Sequence, residues 1–224
     1  MLKINEPISL EPESIFDRLG YGITDNPSNR IVTLVDDYID NYNEFISPSC
    51  SYIYRPSAGA QGDFVDIGDS LTLESTLLSR MLANCEMVAV FAASIGNYLE
   101  DIAGQLYEDG MIVQATVLDA IGSGSVEKIA GILEDTVRDA AAEAGMVISR
   151  RFSPGYCDWD VSQQGTLFQS LGDYKAGIEL TDNMLMTPRK SVSGIIGIGR
   201  PNRGIADYNP CITCKKKDCP GRRR

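Results

Sequence analysis

The chain contains no histidine. That excludes a Ser-His-Asp triad, imidazole proton transfer near neutral pH and any metal site built on imidazole. No uninterrupted apolar run approaches the roughly 18 residues that a membrane-spanning helix needs. The opening residues, MLKINEPISLEPE, lack the apolar core of a secretory signal. Together these absences predict a cytoplasmic protein with no membrane partner. In that reducing setting the six cysteines read as thiols or metal ligands rather than disulfides.

What is present is an acidic globular chain. Its 224 residues suffice for one sizeable domain with a core that needs no covalent staples. The net charge is −11, unevenly spread. Residues 210–224 carry six Lys/Arg against one Asp, a net of +5, so the remainder carries −16. An acidic body lacks the clustered cations that phosphate contacts require, which argues against a nucleic-acid partner. A break near 202–210 separates a body, 1–205, from a Cys-rich basic tail, 206–224.

Read in order, the body alternates helical and extended patterns. Residues 11–20 predict a short helix stopped by Gly20. Apolar residues recur at helical spacing from 30 to 46, with Asp36, Asp37 and Asp40 on the wet face. Residues 50–55 and 63–68 predict strands that pair, with a loop at 56–62. Residues 70–85 predict a helix, and the apolar run 86–96 a central strand. Helical periodicity then fills 97–110 and most of 111–145, where GSGS at 122–125 reads as a break or a tightly packed crossing. Strands are predicted around 147–151, 177–180 and 191–198, with a helix near 160–171. The sum is α+β, an antiparallel or mixed sheet packed with helices, without a regular βαβ repeat.

Two stretches carry chemistry. In RRFSPGYCDWD, Arg151 and Tyr156 bracket a Ser-Pro-Gly turn. A guanidinium fork, turn amides and an aromatic wall suit a small ligand with a carboxylate, although the same residues also make an ordinary surface turn. In the tail, Cys211, Cys214 and Cys219 form C-x2-C-x4-C followed by proline. Three thiols so close can converge on zinc or an iron–sulfur cluster. Cys157, solvent, a substrate or a partner would supply the fourth ligand; a solvated, metal-free tail is the alternative. Cys50 and Cys85 read as buried and inert. GIIGIGRPNRG, at 194–204, superficially mimics a nucleotide loop, but proline and asparagine follow where a helix is required. Its glycines read instead as close packing or ligand approach.

RFSPGYCDW, followed by IELTDNMLMTPRKSVSG, resembles the activation (reactivation) domain of cobalamin-dependent methionine synthase. The family pairs an R-x-x-x-G-Y turn with an L-T-x-S-x-x-M-x-P-x-x-S-V-S-G segment. The matching residues are Arg151, Gly155 and Tyr156, then Leu180, Thr181, Met186, Pro188, Ser191, Val192, Ser193 and Gly194. Asn183 stands where the family usually has serine. The resemblance reaches back to Val126, through VEKIAGILEDTVR, and leaves out the tail.

The resemblance implies S-adenosylmethionine as ligand. Arg151 would anchor its carboxylate, and Glu127, otherwise a solvated helix-face residue beside Lys128, would help hold its ammonium. Backbone at Phe152, Ser153 and Gly155 would meet the adenosyl part. Tyr156 would face ligand and corrin at the reacting centre. The family's aromatic pair is replaced by Gly204 and Ile205. With no D-x-H-x-x-G corrinoid signature and no histidine, cobalamin would be held by the partner. The implied role is an activation subunit for the reductive methylation of cob(II)alamin on a separate corrinoid protein, methionine synthase foremost, fed by an electron donor. The alternative is a non-catalytic docking module with a metal-ordered tail and a vestigial ligand site.

Overall fold

The computed structural model describes residues 4, 7–22, 24–68, 71–201, 203–212 and 218. Its helices are α1 (Pro12–Arg18), α2 (Asn29–Asn41), α3 (Thr76–Leu82), α4 (Tyr98–Glu108), α5 (Ile112–Glu143), α6 (Gln164–Leu171) and α7 (Arg203–Ala206). Its strands are β1 (Ser49–Gln61), β2 (Phe64–Ile67), β3 (Leu71–Glu74), β4 (Met87–Ser94), β5 (Val147–Ile148), β6 (Glu179–Leu180), β7 (Met186–Thr187) and β8 (Ser191–Gly199). Six strands form one antiparallel sheet in the order β3-β2-β1-β4-β8-β5, and β6 and β7 form a separate hairpin. The expected α+β class holds. Among the described residues no helix is long and apolar enough to cross a membrane.

Strand β4 is central, as its nearly continuous apolar run predicts, and every residue from Val88 to Ser94 is buried. Two local expectations need correction. The helix expected over 70–85 is a strand followed by a shorter helix. Leu71 and Leu73 are buried while Thr72 and Glu74 are exposed, so the segment has period two and pairs with β2. Ser75 then caps α3, its side chain accepting from the Leu78 amide at 3.1 Å. The loop expected at 56–62 is also mostly strand. β1 continues to Gln61 through an irregularity between Ser57 and Gly59, and the reversal occurs at Gly62.

The chain divides into two compact units, one made of 1–51, 92–133 and 175–192, the other of 52–91, 134–174 and 193–224. In the first, Ile15, Val35, Tyr42, Ile95, Leu99 and Ile121 are wholly or almost wholly buried. The Tyr42 hydroxyl donates to the Ile8 carbonyl, and Asn43 binds both the amide and the carbonyl of Ile8, which ties the N-terminal segment down. GSGS does not break α5. A Cβ at Gly122 would sit 2.8 Å from Leu99 Cδ2, and one at Gly124 3.1 Å from Ile15 Cδ1. The glycines serve helix packing, which is the other reading that the sequence allowed.

In the second unit the glycines of β8 do the same for the sheet. A Cβ at Gly197 would lie 2.6 Å from Cys85 Sγ and 2.7 Å from Leu82 Cδ2; one at Gly199 would lie 2.6 Å from the Asn84 carbonyl oxygen. Cys85 and Cys50 are buried thiols, pushed up by burial to about 12 and about 11 respectively, which fits an inert role. Asp158 secures the N-terminus of α3, accepting from Ser75 Oγ at 2.7 Å and from the Leu77 amide at 3.3 Å. Burial works to raise its pKa, but hydrogen bonds from Ser75, Leu77 and Thr76 outweigh burial and hold it below the ordinary carboxylate value.

Two outcomes are expected. Gly197→Ala should cost about 1–3 kcal/mol, read as a lower urea midpoint at unchanged slope, because both Sγ and Cδ2 must shift. Asp158→Asn should cost about 1 kcal/mol at neutral pH. Because the folded-state pKa is depressed, that stabilisation exists above the unfolded carboxylate value of about 4 and disappears as pH falls through the folded value. Thermal melts of the two proteins should therefore converge at acid pH.

Candidate functional site

The turn at 150–160 is held between α5 and β8 in the second unit. Phe152 forms an antiparallel bridge with Ile195, its amide donating to the Ile195 carbonyl at 3.0 Å and its carbonyl accepting from the Ile195 amide at 2.8 Å. Gly194 makes this approach possible, since a Cβ there would collide with the Phe152 carbonyl oxygen. Beyond the bridge the chain reverses. Gly155 takes φ +87° and donates to the Trp159 carbonyl at 2.8 Å, and the Trp159 amide donates to the Tyr156 carbonyl at 3.1 Å. Trp159 is buried under the turn while Tyr156 is 57% exposed. Trp159 Nε1 and, beside Gly194, Ser193 Oγ are buried and have no hydrogen-bond partner among the described residues.

Arg151 sits one residue before the bridge. Its Nε donates to Glu134 Oε2 at 2.6 Å, and both side chains are about four-fifths buried (18% and 20% exposed). The other oxygen of Glu134 accepts from Arg138 Nη2 at 2.9 Å. One carboxylate thus orients two guanidinium groups. A guanidinium has five N–H donors, and the bond at Nε uses one of them. The i,i+4 spacing of Glu134 and Arg138 is visible in the sequence, but nothing in the sequence marks Arg151, 17 positions away, as the second partner.

The backbone behaves differently from the sequence reading. Phe152 and Gly155 spend their amides inside the protein, and Tyr156 shares its own with the Ser153 carbonyl at 3.4 Å. Among the described residues the Ser153 amide carries no hydrogen bond, so it is one that this turn can offer. Of the pair in α7, Gly204 is half-buried. Ile205 is wholly buried against Gly199, which assigns its side chain to packing. Glu127 is an exposed residue of α5 in the first unit.

The tail begins on the second unit. α7 packs on α3 and β5, and Cys211 lies half-buried in the turn Pro210–Ile212, its amide donating to Asn209 Oδ1 at 3.1 Å. Burial raises the Tyr208 hydroxyl, and Arg80, Asp158 and Cys157 are near enough to act on it electrostatically. Cys157 is exposed. Among the described residues no group of three or more Cys, Asp or Glu is placed to hold a metal. Cys214 and Cys219 lie outside the described residues.

Residues 78–204, more than half of the chain, match the model of the vitamin B12 dependent methionine synthase activation domain. No curated protein matches. Among solved structures, the MetH reactivation domain bound to AdoHcy is similar with a TM-score of 0.61 and 16% identity, over 86% of this chain and 72% of that one. That likeness is one of fold, an antiparallel sheet packed with helices. The matched family segment contains the bridge at Gly194, the Arg151 turn and the glycines of β8, and this chain belongs to the vitamin B12 dependent methionine synthase activation domain family.

Proposed function

We propose that this chain binds S-adenosylmethionine and supports the reductive methylation of cob(II)alamin held by a corrinoid partner, methionine synthase foremost. The observation that carries the reading is the Arg151 turn, a mostly buried guanidinium oriented by Glu134 and fixed to β8 at Gly194. S-adenosylmethionine is a zwitterion whose carboxylate needs a rigid cation. An oriented guanidinium meets it bidentately, which lysine cannot do. In this reading, which follows the family resemblance, the Ser153 amide meets the adenosyl part, Glu127 helps hold the ammonium, and the Tyr156 ring, exposed in this structure, faces ligand and corrin. In this reading Gly204 would meet the adenosyl part through its backbone.

When bound, the ligand supplies an electrophilic methyl group. In this reading the methyl group would pass to the corrinoid held by the partner, an external donor would supply the one electron, and S-adenosylhomocysteine would leave. The residues named here do no acid–base work; they position the methyl group, and positioning is the catalytic contribution. The solved neighbour with AdoHcy bound supports this choice of ligand class. A docking module with a vestigial ligand site draws on one observation, that most amides of the turn are already used.

Calorimetric titration with S-adenosylhomocysteine, which is inert to reduction, separates the two. Saturable binding is expected in the wild-type chain. Arg151→Ala and Arg151→Lys should each weaken it at least about tenfold while the circular dichroism spectrum and melting curve stay native-like. No saturable heat would establish the docking module. Unchanged affinity in a folded Arg151→Ala would remove Arg151 from the site.

A further inference from the structure

The hairpin of α4 and α5 carries a groove that shares no residue with the Arg151 turn and lies wholly within the first unit. Only Leu99 of α4 is buried. The chain reverses at Gly110, and the Met111 amide donates to the Leu106 carbonyl at 2.8 Å. Along the two helices runs a cavity of about 390 Å³, lined by Ala103, Gly104, Tyr107 and Ala115, with Asp119 and Arg189 among its charged groups. That volume suits a small ligand. Gly104 keeps the groove open. A Cβ there would meet no atom within 4 Å, so no neighbour demands glycine, although glycine weakens a helix interior relative to alanine.

The charges around this cavity are of both signs and held in place. Glu100 Oε2 accepts from the Arg189 amide at 3.0 Å, and Glu100 Oε1 lies 3.6 Å from Arg189 Nε. Among the described residues Arg189 Nη1 and Nη2 make no hydrogen bond. Asp119 Oδ1 meets Lys190 Nζ at 2.7 Å, and Lys190, 11% exposed, is held further by Ser123 Oγ at 2.9 Å. Asp119 Oδ2 makes no hydrogen bond among the described residues. One edge of a guanidinium and one carboxylate oxygen thus remain at a single small cavity with an apolar floor. A simple anion there would be repelled by Glu100 and Asp119, and a simple cation by Arg189 and Lys190. A ligand that carries both charges finds a complement for each.

We infer that this groove binds a free α-amino acid with an apolar side chain. Its carboxylate lies on the Arg189 fork, its ammonium on Asp119, and its side chain over Ala103, Gly104 and Ala115 beside Tyr107. The site goes beyond the S-adenosylmethionine reading and does not rest on it.

The test is calorimetric titration of the full chain with L-methionine, L-leucine and L-phenylalanine. At least one should bind saturably, and its N-acetyl and amide forms, each lacking one charge, should bind at least about tenfold more weakly. Arg189→Gln and Asp119→Asn should each weaken binding by a similar factor. Because Asp119→Asn also takes a partner from Lys190, Gly104→Leu provides the cleaner variant. It fills open space and favours the helix, so it should lower affinity at least about tenfold while the melting temperature holds or rises. No saturable binding of any of the three, full affinity in Gly104→Leu, or equal affinity for the two neutralised forms would each overturn the site. Arg151→Ala decides location: binding that persists there supports the groove, whereas binding lost there but kept in Gly104→Leu would assign the amino acid to the turn. Failure of the S-adenosylmethionine reading appears in the S-adenosylhomocysteine titration and leaves these outcomes unchanged.

Discussion

The close approach of two backbones at Gly194 is the constraint on which the candidate site depends. The Phe152 carbonyl occupies the space of a side chain at Gly194, and the paired bonds to Ile195 lock that contact. Once Phe152 is fixed, Arg151 on one side and Gly155 on the other have little freedom. Trp159 buries beneath the turn, and Asp158 reaches the N-terminus of α3. Family segment and physical constraint coincide here: the glycine that ends S-V-S-G is the one that no other residue could replace without moving the turn.

The outline of the fold was legible in the sequence wherever periodicity was long. α2, β4 and α4 follow from it, and so does the burial of Cys50 and Cys85. The glycines of β8 were legible too, once the absence of a following helix removed the nucleotide-loop reading. Shorter segments failed for an identifiable reason. SLTLE contains both a two-residue alternation and leucines at helical spacing, and strand pairing with β2 decides between them. Sequence inspection also favoured Gly204 and Ile205 by position. Only packing shows that Ile205 belongs to the core.

The Arg151 turn was legible as residue types and illegible as partnerships. Arg151, Gly155 and Tyr156 stand where the turn requires them. Glu134 and Asp158 escaped, because a carboxylate on a helix reads as solvated until the chain returns to it. The turn amides were overestimated for the opposite reason. A Ser-Pro-Gly turn offers donors on paper, and the fold spends most of them on Ile195, Trp159 and Ser153.

Glu134 has a consequence for how the site behaves when empty. A mostly buried guanidinium without a counterion would be a large desolvation penalty, so an unliganded site built on Arg151 alone would collapse or stay wet. Glu134 removes that problem by acting as a resident anion, and Arg138 keeps it from competing at full strength. Under the proposed reading, a ligand carboxylate would meet a guanidinium that Glu134 already orients. By reciprocity, whatever it does to the Arg151–Glu134 pair is returned as a change in its own affinity. Under that reading, ligand binding at Arg151 would be felt one helical turn on from Glu134, at Arg138.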